Sequence, residues 1–123
     1  FDKQSGDQYF AHLNQMIQGI KDKNPQACVL VMTSPPSVLH RKYKNTFIEK
    51  YAELIGENAH VKNYAVWDLL QVFGGNKAIS RNAAKGYMAR DKVHYSKAGY
   101  EKQGDLFFEA FLQSYELFKS TKQ

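Results

Sequence analysis

Ala27-Cys28-Val29-Leu30-Val31-Met32-Thr33-Ser34-Pro35-Pro36 is the stretch whose reading decides the fold. From Ala27 to Thr33 the run carries no charge, holds three β-branched residues and stops on a proline pair, so its length and composition predict a buried strand rather than a helix. Upstream, Tyr9, Phe10, Leu13, Met16, Ile17 and Ile20 recur at helical spacing. They predict an amphipathic helix over 7–23, capped by Ser5 or Asp7 and stopped at Asn24-Pro25. Downstream, Phe47, Ile48, Tyr51, Leu54 and Ile55 predict a helix over 46–58, with Asn45 or Thr46 as cap and Gly56 and Asn58 helping to end it.

A second strand is predicted over Val61 to Trp67, followed by a short helix from Leu69 to Phe73 that Asp68 caps and Gly74-Gly75 closes. Ser96 caps a last helix reaching roughly Lys119, whose Tyr100, Phe107, Phe108, Phe111, Leu112, Tyr115 and Phe118 predict a wide packing face. The order helix, strand, helix, strand, helix implies an α/β fold with a parallel sheet and helices on its faces. Two strands leave an unpaired edge, so further strands are expected from outside these residues or from a second copy, making self-association through that edge a candidate interaction.

At 123 residues the chain is read as a single domain over 1–123. Eight Phe and eight Tyr argue for a packed core. A net charge of +5 raises the chance of an acidic partner, with His40-Arg41-Lys42-Tyr43-Lys44 as the densest cluster. No segment strings five basic residues together and no recognition motif accompanies the cluster, so nucleic acid is not an expected partner. Cys28, the single cysteine, excludes an internal disulfide and is expected to be a small buried hydrophobe. No stretch is apolar for long enough to span a bilayer, and Phe1-Asp2-Lys3-Gln4-Ser5-Gly6 lacks the pattern of a signal peptide. Without an initiator methionine, the chain is expected to begin inside a larger product.

The chemistry concentrates near the end, in Asp91-Lys92-Val93-His94. A carboxylate three positions before a histidine can accept from one ring nitrogen, fixing the tautomer and leaving the other nitrogen to take a proton from a hydroxyl. The irregular stretches 34–45 and 76–90 are expected to be loops that wall this site. Ser34 and Pro35 are read as such a wall, since the prolines after Ser34 remove the amide donors a nucleophile elbow needs. Tyr87 and Met88, in the approach to Asp91, are candidates either for lining an acyl pocket or for plain packing. Ser96 and Asp68 are explained as helix caps, and Tyr64 and Trp67 as core. His12, His40 and His60 are surface residues, and the spacing of His and Cys supports no metal site.

Asp91 to Tyr100, continued by Gln103-Gly104 and Phe107, resembles the last block of the SGNH, or GDSL-like, hydrolases; Val29 to Pro36 and Tyr64 to Leu70 resemble two of that family's strands with their following turns. The resemblance covers nearly the whole chain. It implies part of a three-layer α/β/α, flavodoxin-like sandwich with a parallel sheet of about five strands. It also implies a serine ester hydrolase working through an acyl-enzyme, with His94 as the base and Asp91 as its orienting acid. The family's serine and its oxyanion glycine and asparagine lie in blocks before the helix that opens this chain. The chain is therefore expected to be the C-terminal portion of such a domain, starting at Phe1 just after the asparagine block and inactive alone. No cofactor is implied; the substrate would be a small-molecule or carbohydrate ester outside the cytoplasm. The alternatives are a non-catalytic α/β binding module whose basic segment grips an anionic partner, and an edge-pairing fragment.

Overall fold

The computed structural model describes residues 5–122, so the readings made on Phe1 to Gln4 lie outside the described residues. Helix α1, Gly6–Lys23, starts on a capping box: Ser5 Oγ accepts from the Gln8 N–H at 3.3 Å, and Gln8 Oε1 accepts from the Ser5 N–H at 2.9 Å. It ends where the Asn24 N–H reaches the Ile20 carbonyl. Strand β1, Leu30–Met32, pairs in parallel with β4, Ala65–Trp67, in the register Leu30 to Ala65, Val31 to Val66 and Met32 to Trp67. Single bonds extend the ladder at each end, from the Ala65 N–H to the Val29 carbonyl and from the Thr33 N–H to the Trp67 carbonyl. The α/β class with a parallel sheet is as the sequence implies.

Strand alternation sorts the two faces. Val31 joins Ile17, Ile55 and Tyr64 in a core against α1 and helix α2, Thr46–Lys62, with Val66 packed on it. Ile55 is fully buried, and the Tyr64 hydroxyl donates to its carbonyl at 2.7 Å. On the opposite face Trp67 meets Phe107 of helix α5, Lys97–Thr121, edge-on at 5.6 Å. That face is thinly covered: Leu30 and Met32 are exposed, as are Phe108, Phe111, Tyr115 and Phe118 along α5. The last helix is thus not the large packing element its aromatic face suggests, because the sheet beneath it holds only two strands.

Four other expectations are corrected. Residues 34–45 do not form an irregular loop: Val38–Leu39 (β2) and Tyr43–Lys44 (β3) make an antiparallel hairpin. Helix α2 runs from Thr46 to Lys62, past both Gly56 and Asn58, and stops at Asn63 in the left-handed conformation. The Gly56 Cα faces open space, and Asn58 Nδ2 bonds back to the Leu54 carbonyl, so neither interrupts the helix; the second strand consequently begins only at Ala65. Most of the stretch 76–90 is helical, with a 3-10 turn at Asn76–Ala78 and α4 at Ile79–Ala84, behind the short α3, Leu69–Val72. Here Asn82, buried, donates to the Phe73 carbonyl at 3.0 Å. Cys28 is exposed rather than buried, because it precedes the paired part of β1. Among the described residues no helix is long and apolar enough to cross a membrane.

Candidate functional site

The site is a turn held on three sides. The chain from Gly86 to Ser96 doubles back through a bridge between Met88 and Tyr95, with the Ala89 N–H on the His94 carbonyl at 2.9 Å and the Ser96 N–H on the Tyr87 carbonyl at 2.9 Å. Ser96 then caps α5 by accepting from the Gly99 N–H at 3.1 Å. A Cβ at Gly99 would overlap the Tyr87 carbonyl oxygen, so only glycine lets the helix approach the turn this closely. Beneath the turn lies a second core cluster of Leu69, Phe73, Ile79, Met88 and Tyr95. The Tyr95 ring sits edge-on to Phe73, and its hydroxyl donates to the Pro36 carbonyl at 2.6 Å. Burial pushes that phenol up from its ordinary pKa and keeps it a donor.

At the head of the turn one carboxylate does two things. Asp91 Oδ1 accepts from the Val93 and His94 backbone N–H groups at 2.9 and 3.0 Å, and Oδ2 lies 2.7 Å from His94 Nδ1. The imidazole hydrogen bond, followed by the two backbone bonds, holds the Asp91 carboxyl well below the usual carboxylate range. Oδ2 therefore stays anionic and selects the tautomer with hydrogen on Nδ1, leaving Nε2 as an acceptor. The Asp91 side chain is 21% exposed while that of His94 is 73% exposed, so the imidazole is oriented yet open to an incoming group.

Ser34 and Pro35 stand at the carboxyl end of β1 and line a cleft of about 450 Å³ with Ser37, Asn45, the hairpin and Val93 of the turn. No hydrogen bond joins Ser34 to His94. Tyr87 and Met88 do not line this cleft: Met88 is buried in the second cluster and Tyr87 leans on Phe73 at 5.9 Å. Asp68 caps α3 by accepting from the Gln71 N–H, and its Oδ1 also takes the buried Thr33 hydroxyl at 2.9 Å, tying the ends of the two strands together. His12, His40 and His60 are exposed. Among the described residues no three His, Cys, Asp or Glu side chains converge as metal ligands. Sequence reasoning missed Tyr95 and Thr33. Tyr95 stood beside His94 in plain view, but its partner Pro36 is 59 positions away.

A parallel sheet, helices on its faces and an oriented histidine past the carboxyl ends of the strands define an α/β fold of the kind that carries sites there. The chain is similar in structure to a peptidoglycan O-acetylesterase, with a TM-score of 0.77 and 17% identity over 90% of this chain and 33% of that one. It thus spans about a third of that solved structure. No family model and no curated protein matches it.

Proposed function

We propose that these residues are the C-terminal part of an SGNH-type serine ester hydrolase domain. The carrying observation is the 2.7 Å contact between Asp91 and an otherwise exposed His94. In this reading Nε2 of His94 removes the proton from a serine hydroxyl outside the 123 residues as that oxygen attacks an ester carbonyl. The same nitrogen then returns the proton to the departing alkoxide, leaving an acyl-enzyme that water resolves by the same relay. Asp91 holds the imidazole in register and offsets the charge it acquires. Ser34 and Pro35 form a wall against the alcohol side of the ester, which would be a small-molecule or carbohydrate hydroxyl, outside the cytoplasm by family analogy.

The exposed edge of β1 and the apolar side of α5 fit the same reading, since strands from the remainder of such a domain, or from a second copy, would cover both. The test is hydrolysis of p-nitrophenyl acetate. The 123 residues alone are expected to be inactive, and the protein extended to include a Gly-Asp-Ser segment active. His94→Ala in the extended protein is expected to lower kcat by roughly 10³-fold or more; full activity in that variant would refute the assigned base.

A further inference from the structure

We propose that the cleft beside the Asp91–His94 turn binds an uncharged peptide-type amide, a secondary carboxamide next to a branched apolar group, and that Asn45 is the residue that selects it. Neither Asp91 nor His94 lines this cleft, so the binding does not rest on the function proposed above.

Asn45 stands where an asparagine ordinarily does something else. It occupies the cap position of α2, where the side-chain oxygen of such a residue normally accepts from an amide of the first helical turn. Here no side-chain bond from Asn45 caps the helix, although α2 runs for 17 residues. The carboxamide points instead toward the cleft: Nδ2 donates to Ser37 Oγ at 3.4 Å, and Ser37 is one of the lining residues. Asn45 is only 5% exposed, and its Oδ1 has no hydrogen-bond donor among the described residues. The backbone is not free to relieve this, because the Asn45 carbonyl accepts from Asn76 Nδ2 at 3.0 Å across 31 positions of chain.

A buried acceptor without a donor is expensive, and so is a helix without its cap. Asn45 leaves both at once: an oxygen in want of a hydrogen, and first-turn amides in want of an acceptor. Ile48, in that first turn, lines the same cleft of about 450 Å³. The bond to Ser37 is longer than a good one, so a ligand that offers the carboxamide a better partner displaces only a weak interaction.

The rest of the lining narrows the ligand. No lysine, arginine, aspartate or glutamate belongs to it, so an ion would lose water without gaining a permanent counter-charge. An anion would also leave Oδ1 without a hydrogen, and a cation would face the positive end of α2. A secondary amide meets both needs, since its N–H donates to Oδ1 while its carbonyl accepts from a serine hydroxyl or an amide of α2. Pro35, Val38, Leu39, Ile48 and Val93 supply an apolar remainder suited to an aliphatic side chain. A sugar ring asks for more polar partners than two hydroxyls, one carboxamide and one imidazole, and no phenylalanine, tyrosine or tryptophan lines the cleft to cover its apolar face.

The test is a titration of the 123-residue chain followed by NMR on the methyl groups of Val38, Ile48 and Val93. N-methylisovaleramide is expected to shift them saturably. N,N-dimethylisovaleramide, which keeps the carbonyl and lacks the N–H, is expected to bind about tenfold more weakly, and so is the anion isovalerate. N-acetylglucosamine, an amide carried on a sugar, is expected to bind more weakly than N-methylisovaleramide. In Asn45→Ser the shorter side chain can cap α2 but cannot reach the place of Oδ1. Tm is therefore expected to be retained or raised, while the preference for the N-methyl over the dimethyl amide falls from about tenfold to about one. Equal binding of the two amides, binding of isovalerate or N-acetylglucosamine as tight as that of N-methylisovaleramide, no saturable shift with N-methylisovaleramide, or a preference that survives Asn45→Ser would overturn the proposal. The comparison of probes in the unaltered chain decides even where the variant fails to fold.

Discussion

Tyr95 donates its hydroxyl to the carbonyl of Pro36 across 59 positions of chain, and the bond is buried at both ends. It ties the turn that aims His94 to the segment that follows β1, so the bond holds the two walls of the site together. Tyr95→Phe keeps the ring against Phe73 but leaves the Pro36 carbonyl without its donor, which costs about 1–3 kcal/mol. Urea unfolding is expected to show a lowered midpoint with an unchanged m-value.

Asp91 sets an acid dependence. Its folded-state carboxyl titrates below the unfolded value, so the stability it contributes is present above about pH 4 and is lost as pH falls through the folded value. Wild type is therefore expected to lose Tm more steeply than Asp91→Asn between about pH 4 and about pH 2. Melting both proteins across that range by circular dichroism checks the sign; parallel curves would contradict it.

Gly99→Ala drives a methyl group into the Tyr87 carbonyl, a backbone atom that cannot swing aside. The first turn of α5 must shift, and the bond from the Ser96 N–H to the same carbonyl weakens. The expected outcome is a loss of about 1–3 kcal/mol with displaced amide resonances from Tyr87 to Gly99. Gly104→Ala, on the same helix with open space at its Cα, is expected to be neutral or slightly stabilising.

Leu30, Met32, Phe108 and Phe111 leave an apolar surface beside the unpaired edge of β1. The isolated 123 residues are expected to bind an apolar dye and to show a mass that rises with concentration in sedimentation. Met32→Lys with Phe111→Glu is expected to lower both signals.

Local signals in the sequence were legible where the interactions that decide them are local. Ser5, Asp68 and Ser96 cap the helices they precede because each bonds an amide three residues on. The run around Val31 is a strand because its length and its proline stop leave little else. The pairing of Asp91 with His94 was readable for the same reason, both residues lying in one turn. The hairpin was hidden because its turn uses His40 and Arg41 where the favoured residues are asparagine and glycine. The true end of α2 was hidden because Gly56 and Asn58 are helix breakers only when the surrounding contacts do not overrule them, and Ile55 and Tyr64 do. Exposure along α5 could not be read at all, since periodicity reports which residues share a side and says nothing about whether anything lies opposite.

The single carboxylate at Asp91 has one further implication. Folding of the turn and aiming of the ring draw on opposite oxygens of the same group, so the two can be parted. An amide in its place keeps one oxygen for the bend while its nitrogen cannot accept from Nδ1–H, which would leave a well-formed loop around a ring that has lost its guide.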